Sequence, residues 1–217
     1  MSVYDELFDN QQVVRQIRQK LPRLFLLAEL ESQRNGKVGM EVGSVREKIL
    51  IALLMYKFGL DRVNTGIAIT EPEIDVIVDG EPLSIKTITI PHNLLIRGVK
   101  VSWSVDAETA LKFKKEYFPS CDMMLVEIRW DSTGHLYLFK KHSQREILTK
   151  LGVSNYLKLP TQGRNTRGVE LTGEALRLLI KDASTRKIDI DFPHEQLDYK
   201  EAYKRWLDAW RETYSLS

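Results

Sequence analysis

"EIDVIVDGEPLSIKTITI", residues 73–90, decides the fold. Two runs rich in Ile, Val and Leu flank Asp79-Gly80. Asp-Gly between extended apolar runs is a strong short-range hairpin signal, because both turn residues must take positive φ. The stretch therefore predicts two antiparallel strands. Alternation places Asp75, Ile77 and Asp79 on one face of the first strand, and Ser84, Lys86 and Ile88 on one face of the second. Asp75 and Lys86 interrupt runs that read as buried on both faces, where charge is costly unless paired or used. An edge hairpin with incidental surface charge is the ordinary alternative.

Upstream, apolar residues at three- and four-residue spacing predict helices from Val3 to Lys20 and from Pro22 to Ser32, with Pro22 suited to a first turn. A polar, glycine-rich loop, "SQRNGKVGMEVG", follows. Ser44 then opens a third helix, with Glu47 as its capping-box partner and Gly59 as its stop. Downstream, "GVKVSWSVD" predicts a third strand from Val99 to Val105, and Asp106 caps a helix running to about Tyr117. "DMMLVEIRW" and "HLYLFKK" predict a second hairpin turning at Ser132-Thr133-Gly134. A helix near Ser143 to Leu151, the basic loop "LPTQGRNTRG", a helix from Thr172 to Ala183, a "KIDIDF" strand and a helix from Tyr199 to Tyr214 complete the chain. The expected class is α/β: a mixed central sheet of about four or five strands flanked by helices. One domain is expected over residues 1–217, with a helical part at 1–60, a sheet core at 61–141, and C-terminal helices with the basic loop at 142–217.

The 217 residues, 43% hydrophobic, suffice for a full core. Net charge is +2, so only a local patch can argue for nucleic acid. The one cysteine, Cys121, excludes an intrachain disulfide and a multi-cysteine zinc site, and points to a reducing, cytoplasmic setting. Neither a signal-peptide h-region nor a run of 18 apolar residues occurs, so no membrane partner is expected. No phosphate-cradling loop argues for a nucleotide cofactor. His92, His135, His142 and His194 lack metal-ligand spacing, and Cys121 reads as a small buried residue.

The Asp75 carboxylate and the Ile85 carbonyl are oxygen donors of the kind Mg²⁺ prefers. Lys86 is placed to hold a water or a phosphate oxygen. Glu47, near the start of its helix, is a further acidic candidate within reach of the sheet.

The series of Glu47 on a helix, then "EPEID", then "SIK", resembles the PD-(D/E)XK nuclease superfamily, specifically its type II restriction endonucleases. The longer run "SIKTITI" to "RGVKVSWSVDAETALKF", followed by "CDMMLVEIRW", resembles the ThaI-like restriction enzymes. The core resemblance spans about Ser44 to Trp130. It implies a PD-(D/E)XK core and Mg²⁺-dependent cleavage of double-stranded DNA at a short palindromic site by a homodimer. It also implies Asp75 as metal-binding carboxylate, Lys86 as catalytic lysine and Glu47 as the helix carboxylate. Two departures stand out. The proline lies three positions before Asp75, and Ser84 replaces the usual acid in lining the site, leaving Glu47 and Glu73 as substitute ligands. Rival readings are a junction-resolving or repair nuclease using the same site, and a noncatalytic DNA-binding module.

Phosphate contacts supply affinity for DNA and base contacts specificity. Gln33, Arg34, Asn35 and Lys37 in one loop, and Gln162, Arg164, Asn165 and Arg167 in the other, offer both. Arginine-dominated readout favours a GC-containing target. Met40 is either a wedge between base steps or a gap filler under its loop. Lys100 is a candidate for the scissile phosphate, and Trp103 for the core. Tyr199, Tyr203, Trp206 and Trp210, at helical spacing, form either core or a dimer face.

Overall fold

The structure, a computed structural model, describes residues 2–34, 37–39, 41–68, 71, 73–91, 93–103, 106–159 and 168–212, with Arg34 and Trp103 described by backbone alone. A 3-10 turn, Val3–Asp5, and α1 (Glu6–Asp9) lead into α2 (Gln11–Glu31). Asn10 caps α2, its Oδ1 accepting from the N–H groups of Gln12 and Val13 at 3.0 and 3.2 Å. The break expected at Pro22 does not occur. Burial of Ile17, Leu21, Pro22 and Phe25 outweighs the roughly 3 kcal/mol that an interior proline costs.

Where a loop was expected, β1 (Gln33–Arg34) and β2 (Lys37–Val38) pair as a two-stranded ribbon. α3 (Val42–Phe58) begins two residues before Ser44. Its bonding starts with the Val45 N–H donating to the Glu41 carbonyl at 3.2 Å, so Ser44 lies inside the first turn. The capping box with Glu47 is therefore absent.

The chain continues through β3 (Val63–Asn64), β4 (Val76–Val78), β5 (Glu81–Thr89), β6 (Gly98–Trp103) and α4 (Ala107–Glu116). Next come β7 (Asp122–Ile128), β8 (Ser132–Phe139), α5 (Lys141–Leu151), α6 (Val153–Tyr156) and β9 (Leu157–Lys158). After them come β10 (Gly168–Thr172), α7 (Gly173–Lys181), β11 (Arg186–Phe192), a 3-10 turn (Tyr199–Tyr203) and α8 (Lys204–Arg211). Six strands form a mixed sheet in the order β11-β8-β7-β5-β4-β3, with β5 and β7 parallel. Asp79 and Gly80 turn the β4–β5 hairpin at φ of 50° and 81°, the conformation Asp-Gly favours.

The centre of the sheet is buried on both faces. From β7, Met124, Val126 and Ile128 join a core under α1, α2 and α3, while Met123 and Leu125 join a second core with β6, β10, α4, α5 and α7. This explains why β7 reads as an unbroken apolar run. β6 was expected in the central sheet but pairs with β10 in a separate sheet of order β6-β10-β9. Val99 and Val101 of β6 meet Val169 and Leu171 of β10 in the second core, a partner some seventy residues away.

The second hairpin turns earlier than expected, with Asp131 at φ 58° and its N–H donating to the Phe192 carbonyl at 2.7 Å. Gly134 lies inside β8, where an added Cβ would come within 2.2 Å of the Glu127 carbonyl oxygen. Gly134→Ala forces two paired strands apart. It is expected to cost about 2–3 kcal/mol and to lower Tm by roughly 5 °C or more in a thermal melt.

No helix among the described residues is long and apolar enough to cross a membrane. The C-terminal aromatic stripe is not core: Tyr199, Tyr203, Trp206 and Trp210 are 66, 59, 58 and 89% exposed.

Candidate active site

Hairpin pairing stops at Val76 opposite Leu83, and the N–H of Asp75 makes the last bond, to the Leu83 carbonyl at 2.9 Å. Beyond that point β5 pairs on its other side with β7, and its β4 side is vacated. An unpaired N–H in so buried a strand is costly, and Asp75 satisfies it: Asp75 Oδ2 accepts from the Ile85 N–H at 2.5 Å. The N–H and C=O of one strand residue point to the same edge, so the Ile85 carbonyl faces this vacated edge too.

The same oxygen accepts from Lys86 Nζ at 2.8 Å and from Ser84 Oγ at 3.3 Å. Lys86 and Asp75 side chains are 15 and 17% exposed, open enough for solvent and substrate yet sheltered from full screening. An ammonium has three donors, and with one on Asp75 the others remain for a water or phosphate oxygen. Ser84, expected to line the site, is fully buried. It holds the Asp75 carboxylate and has no surface to offer a substrate.

Released from a capping role, Glu47 faces the hairpin. Burial pushes its carboxyl above the usual range, and the charge of Asp75 adds to that shift while Lys86 opposes it. Arg46, missed in the sequence, aims this helix. It is 4% exposed, donates to Thr89 Oγ1 of β5 at 3.0 Å, pairs with Glu29 and lies over the Phe25 ring. Glu29 also accepts from Trp130 Nε1 at 3.0 Å. The available signal was spacing: Arg46, Leu50, Leu54 and Phe58 recur every four residues and are the buried stripe of α3.

Glu73 is not brought to this group. Its Oε1 accepts from Tyr117 Oη at 2.8 Å, and its Oε2 from the Ser120 N–H and Oγ at 2.9 and 2.5 Å. Among the described residues no three His, Cys, Asp or Glu side chains form a metal-sized cluster. Asp75 and Lys86 meet in an ion pair, the Ile85 carbonyl faces the same edge, and Glu47 lies near enough for both charges to act on it. The oxygen donors among them, with mutual repulsion between Asp75 and Glu47, fit a hard divalent cation that keeps several waters.

Cys121 is 1% exposed, and burial pushes its thiol up to about 12, with the charge of Glu73 adding to the shift. It stays protonated and is no nucleophile. Of the candidate DNA contacts, Gln33 and Lys37 stand exposed on the β1–β2 ribbon. Lys100 of β6 runs along Gly168, whose added Cβ would lie 3.5 Å from the lysine's Cδ. The side chain of Arg34, and Asn35, Met40, Gln162, Arg164, Asn165 and Arg167, lie outside the described residues.

Comparison with curated proteins finds no match. The family model for restriction endonuclease ThaI matches residues 7–212. Among solved structures, a restriction endonuclease in complex with substrate DNA is similar to this chain at 45% sequence identity and a TM-score of 0.86, over 98% of this chain and 100% of that one.

Proposed function

Because the chain belongs to the ThaI restriction endonuclease family, and so is a type II site-specific nuclease acting on DNA, we propose that it cuts a short palindromic, GC-containing duplex site as a homodimer, with Mg²⁺ as cofactor. The observation that carries this reading is the vacated edge of β5, where Asp75, Lys86 and the Ile85 carbonyl meet, within the field of Glu47. Asp75, the Ile85 carbonyl and Glu47 would hold the cation. When bound, it acidifies water and stabilises the charge that builds on the phosphate. Lys86 orients the attacking water, or holds a phosphate oxygen, with the donors it does not spend on Asp75. Ser84 and the Ile85 N–H hold the Asp75 carboxylate still, so little reorganisation is needed as charge develops.

We assign DNA contacts to the β1–β2 ribbon, through Gln33, Arg34, Asn35 and Lys37, and to the connection from β9 to β10, through Gln162, Arg164, Asn165 and Arg167. Lys100 lies at the foot of that connection. The deeply buried single thiol suits a cytoplasmic setting.

The test is digestion of plasmid DNA with Mg²⁺, read on a gel, with fragment ends sequenced and the protein's mass measured in solution. Discrete fragments ending at one palindrome, from a dimer, are the expected result. Preference for branched DNA over plain duplex would favour a junction-resolving nuclease. Intact plasmid in Mg²⁺, Mn²⁺ and Ca²⁺ would leave a noncatalytic binding module.

A further inference from the structure

We propose that Glu73 is a positioning residue of the cleavage site, a buried clamp that fixes Asp75 through Tyr117 and Ser120 and holds no metal itself. Glu73 is 7% exposed and precedes Asp75 by two residues. Its three hydrogen bonds reach across β5 to the connection between α4 and β7, where Ser120 precedes the first residue of β7 by two. β7 in turn pairs in parallel with the very residues that receive Asp75, with Ser84 opposite Met123 and Lys86 opposite Leu125. The segment bearing Asp75 is thereby tied at both ends, by its own bond to Leu83 and by Glu73 to the connection that leads into the strand on the far side of β5.

Tyr117 makes the anchor rigid. Its ring is tilted against Phe113 at 5.3 Å and stacks on Tyr156 at 6.1 Å, inside the second core. Burial, then the adjacent Glu73, pushes its hydroxyl well above the usual tyrosine range, so it remains a donor. Both Glu73 oxygens are thus engaged by groups that only donate, or must donate here. Three of the roughly four lone-pair sites of this carboxylate are taken by these bonds, so turning it towards a cation at Asp75 would weaken them and leave buried donors poorly paired. Glu73, two residues from Asp75 in the chain, thus hydrogen-bonds the segment carrying Asp75 to Tyr117 of the second core.

The proposal rests on Asp75 and Lys86 being the cleavage site. It is tested by single-turnover cleavage at saturating DNA and Mg²⁺, with DNA affinity and the Mg²⁺ concentration for half-maximal rate measured alongside. The variants are Tyr117→Phe, Ser120→Ala and Glu73→Gln, with Asp75→Asn as the control. Tyr117→Phe and Ser120→Ala are expected to lower the rate constant roughly tenfold, and Glu73→Gln about a hundredfold, because small misplacements of reacting groups carry costs of that order. DNA affinity should stay at the wild-type value, and Mg²⁺ half-saturation, which depends on Asp75, should change by a similar factor in all three variants. A purely structural role would reduce the amplitude, as fewer molecules fold, and leave the rate constant unchanged; that result overturns the proposal. So does a raised Mg²⁺ requirement in Glu73→Gln with Tyr117→Phe at the wild-type rate, which is the behaviour of a metal ligand. If Glu73→Gln fails to fold, Tyr117→Phe and Ser120→Ala decide alone. Should Asp75→Asn cut like wild type, the site reading fails and the clamp with it. Should Asp75→Asn be inactive while all three clamp variants cut at full rate, only the clamp is lost.

Discussion

Asp75→Asn and Lys86→Ala are expected to lower the cleavage rate by about 10³- to 10⁴-fold while leaving a folded protein. Asparagine keeps an oxygen for the Ile85 N–H, so the vacated edge of β5 stays satisfied. It loses the charge, and with it the cation and the partner of Lys86. Effects of this size are ordinary when a charged group acting on the reacting atoms is removed. Lys86→Ala acts differently. It leaves Asp75 and Glu47 facing each other without the ammonium that now offsets them, so it should lower Tm as well as rate. Truncating one partner of a fully buried pair costs about 3–5 kcal/mol; with both side chains partly open to solvent, a loss of about 1–2 kcal/mol is expected. Circular dichroism and DNA binding in Ca²⁺ check the fold, and a gel checks cleavage. Wild-type cutting by either variant would remove these residues from the mechanism.

Glu47→Gln is the second large effect, and its two consequences have opposite signs. Cleavage should fall about 10²- to 10³-fold through loss of a carboxylate ligand. The metal-free protein should become more stable at neutral pH. The folded-state pKa of Glu47 lies above its unfolded value, so between those two values the native state binds more protons than the unfolded chain. Stability therefore falls as pH rises through that window, and above it the charged carboxylate is a standing cost. Glutamine removes that cost. Mg²⁺ binding follows the opposite course, strengthening with pH as Glu47 of the metal-free protein gives up its proton. Thermal melts with and without Mg²⁺ separate the two effects: Mg²⁺ should raise Tm of the wild type more than that of Glu47→Gln. A variant that cuts normally, or melts lower without metal, would return Glu47 to being a bystander on α3.

These experiments bear on residues that were readable in the sequence to different depths. Asp75 and Lys86 stood out because charge inside Ile and Val runs needs a reason. Asp79-Gly80 set the turn between them, and the turn set which strand faced which. Glu47 was visible, but Ser44 offered it a local role as a capping partner. α3 starts earlier than that role requires, because where a helix begins also depends on the packing of its stripe, here Arg46, Leu50, Leu54 and Phe58. Pro22 misled in the same way, a local preference overridden by burial.

Patterns of short range, the Asp-Gly turn, the alternation along β4 and β5 and the two-sided apolar run of β7, follow from backbone sterics and side-chain periodicity, and the chain carries them whatever surrounds it. Partner choice has no such local code. That β6 leaves the central sheet for β10, and that Glu73 turns from Asp75 towards Tyr117 and Ser120, depend on groups far along the chain meeting in space. In each case the folded core settles the matter, by burying the apolar faces of β6 and β10 together and by giving the buried Tyr117 and Ser120 donors an acceptor.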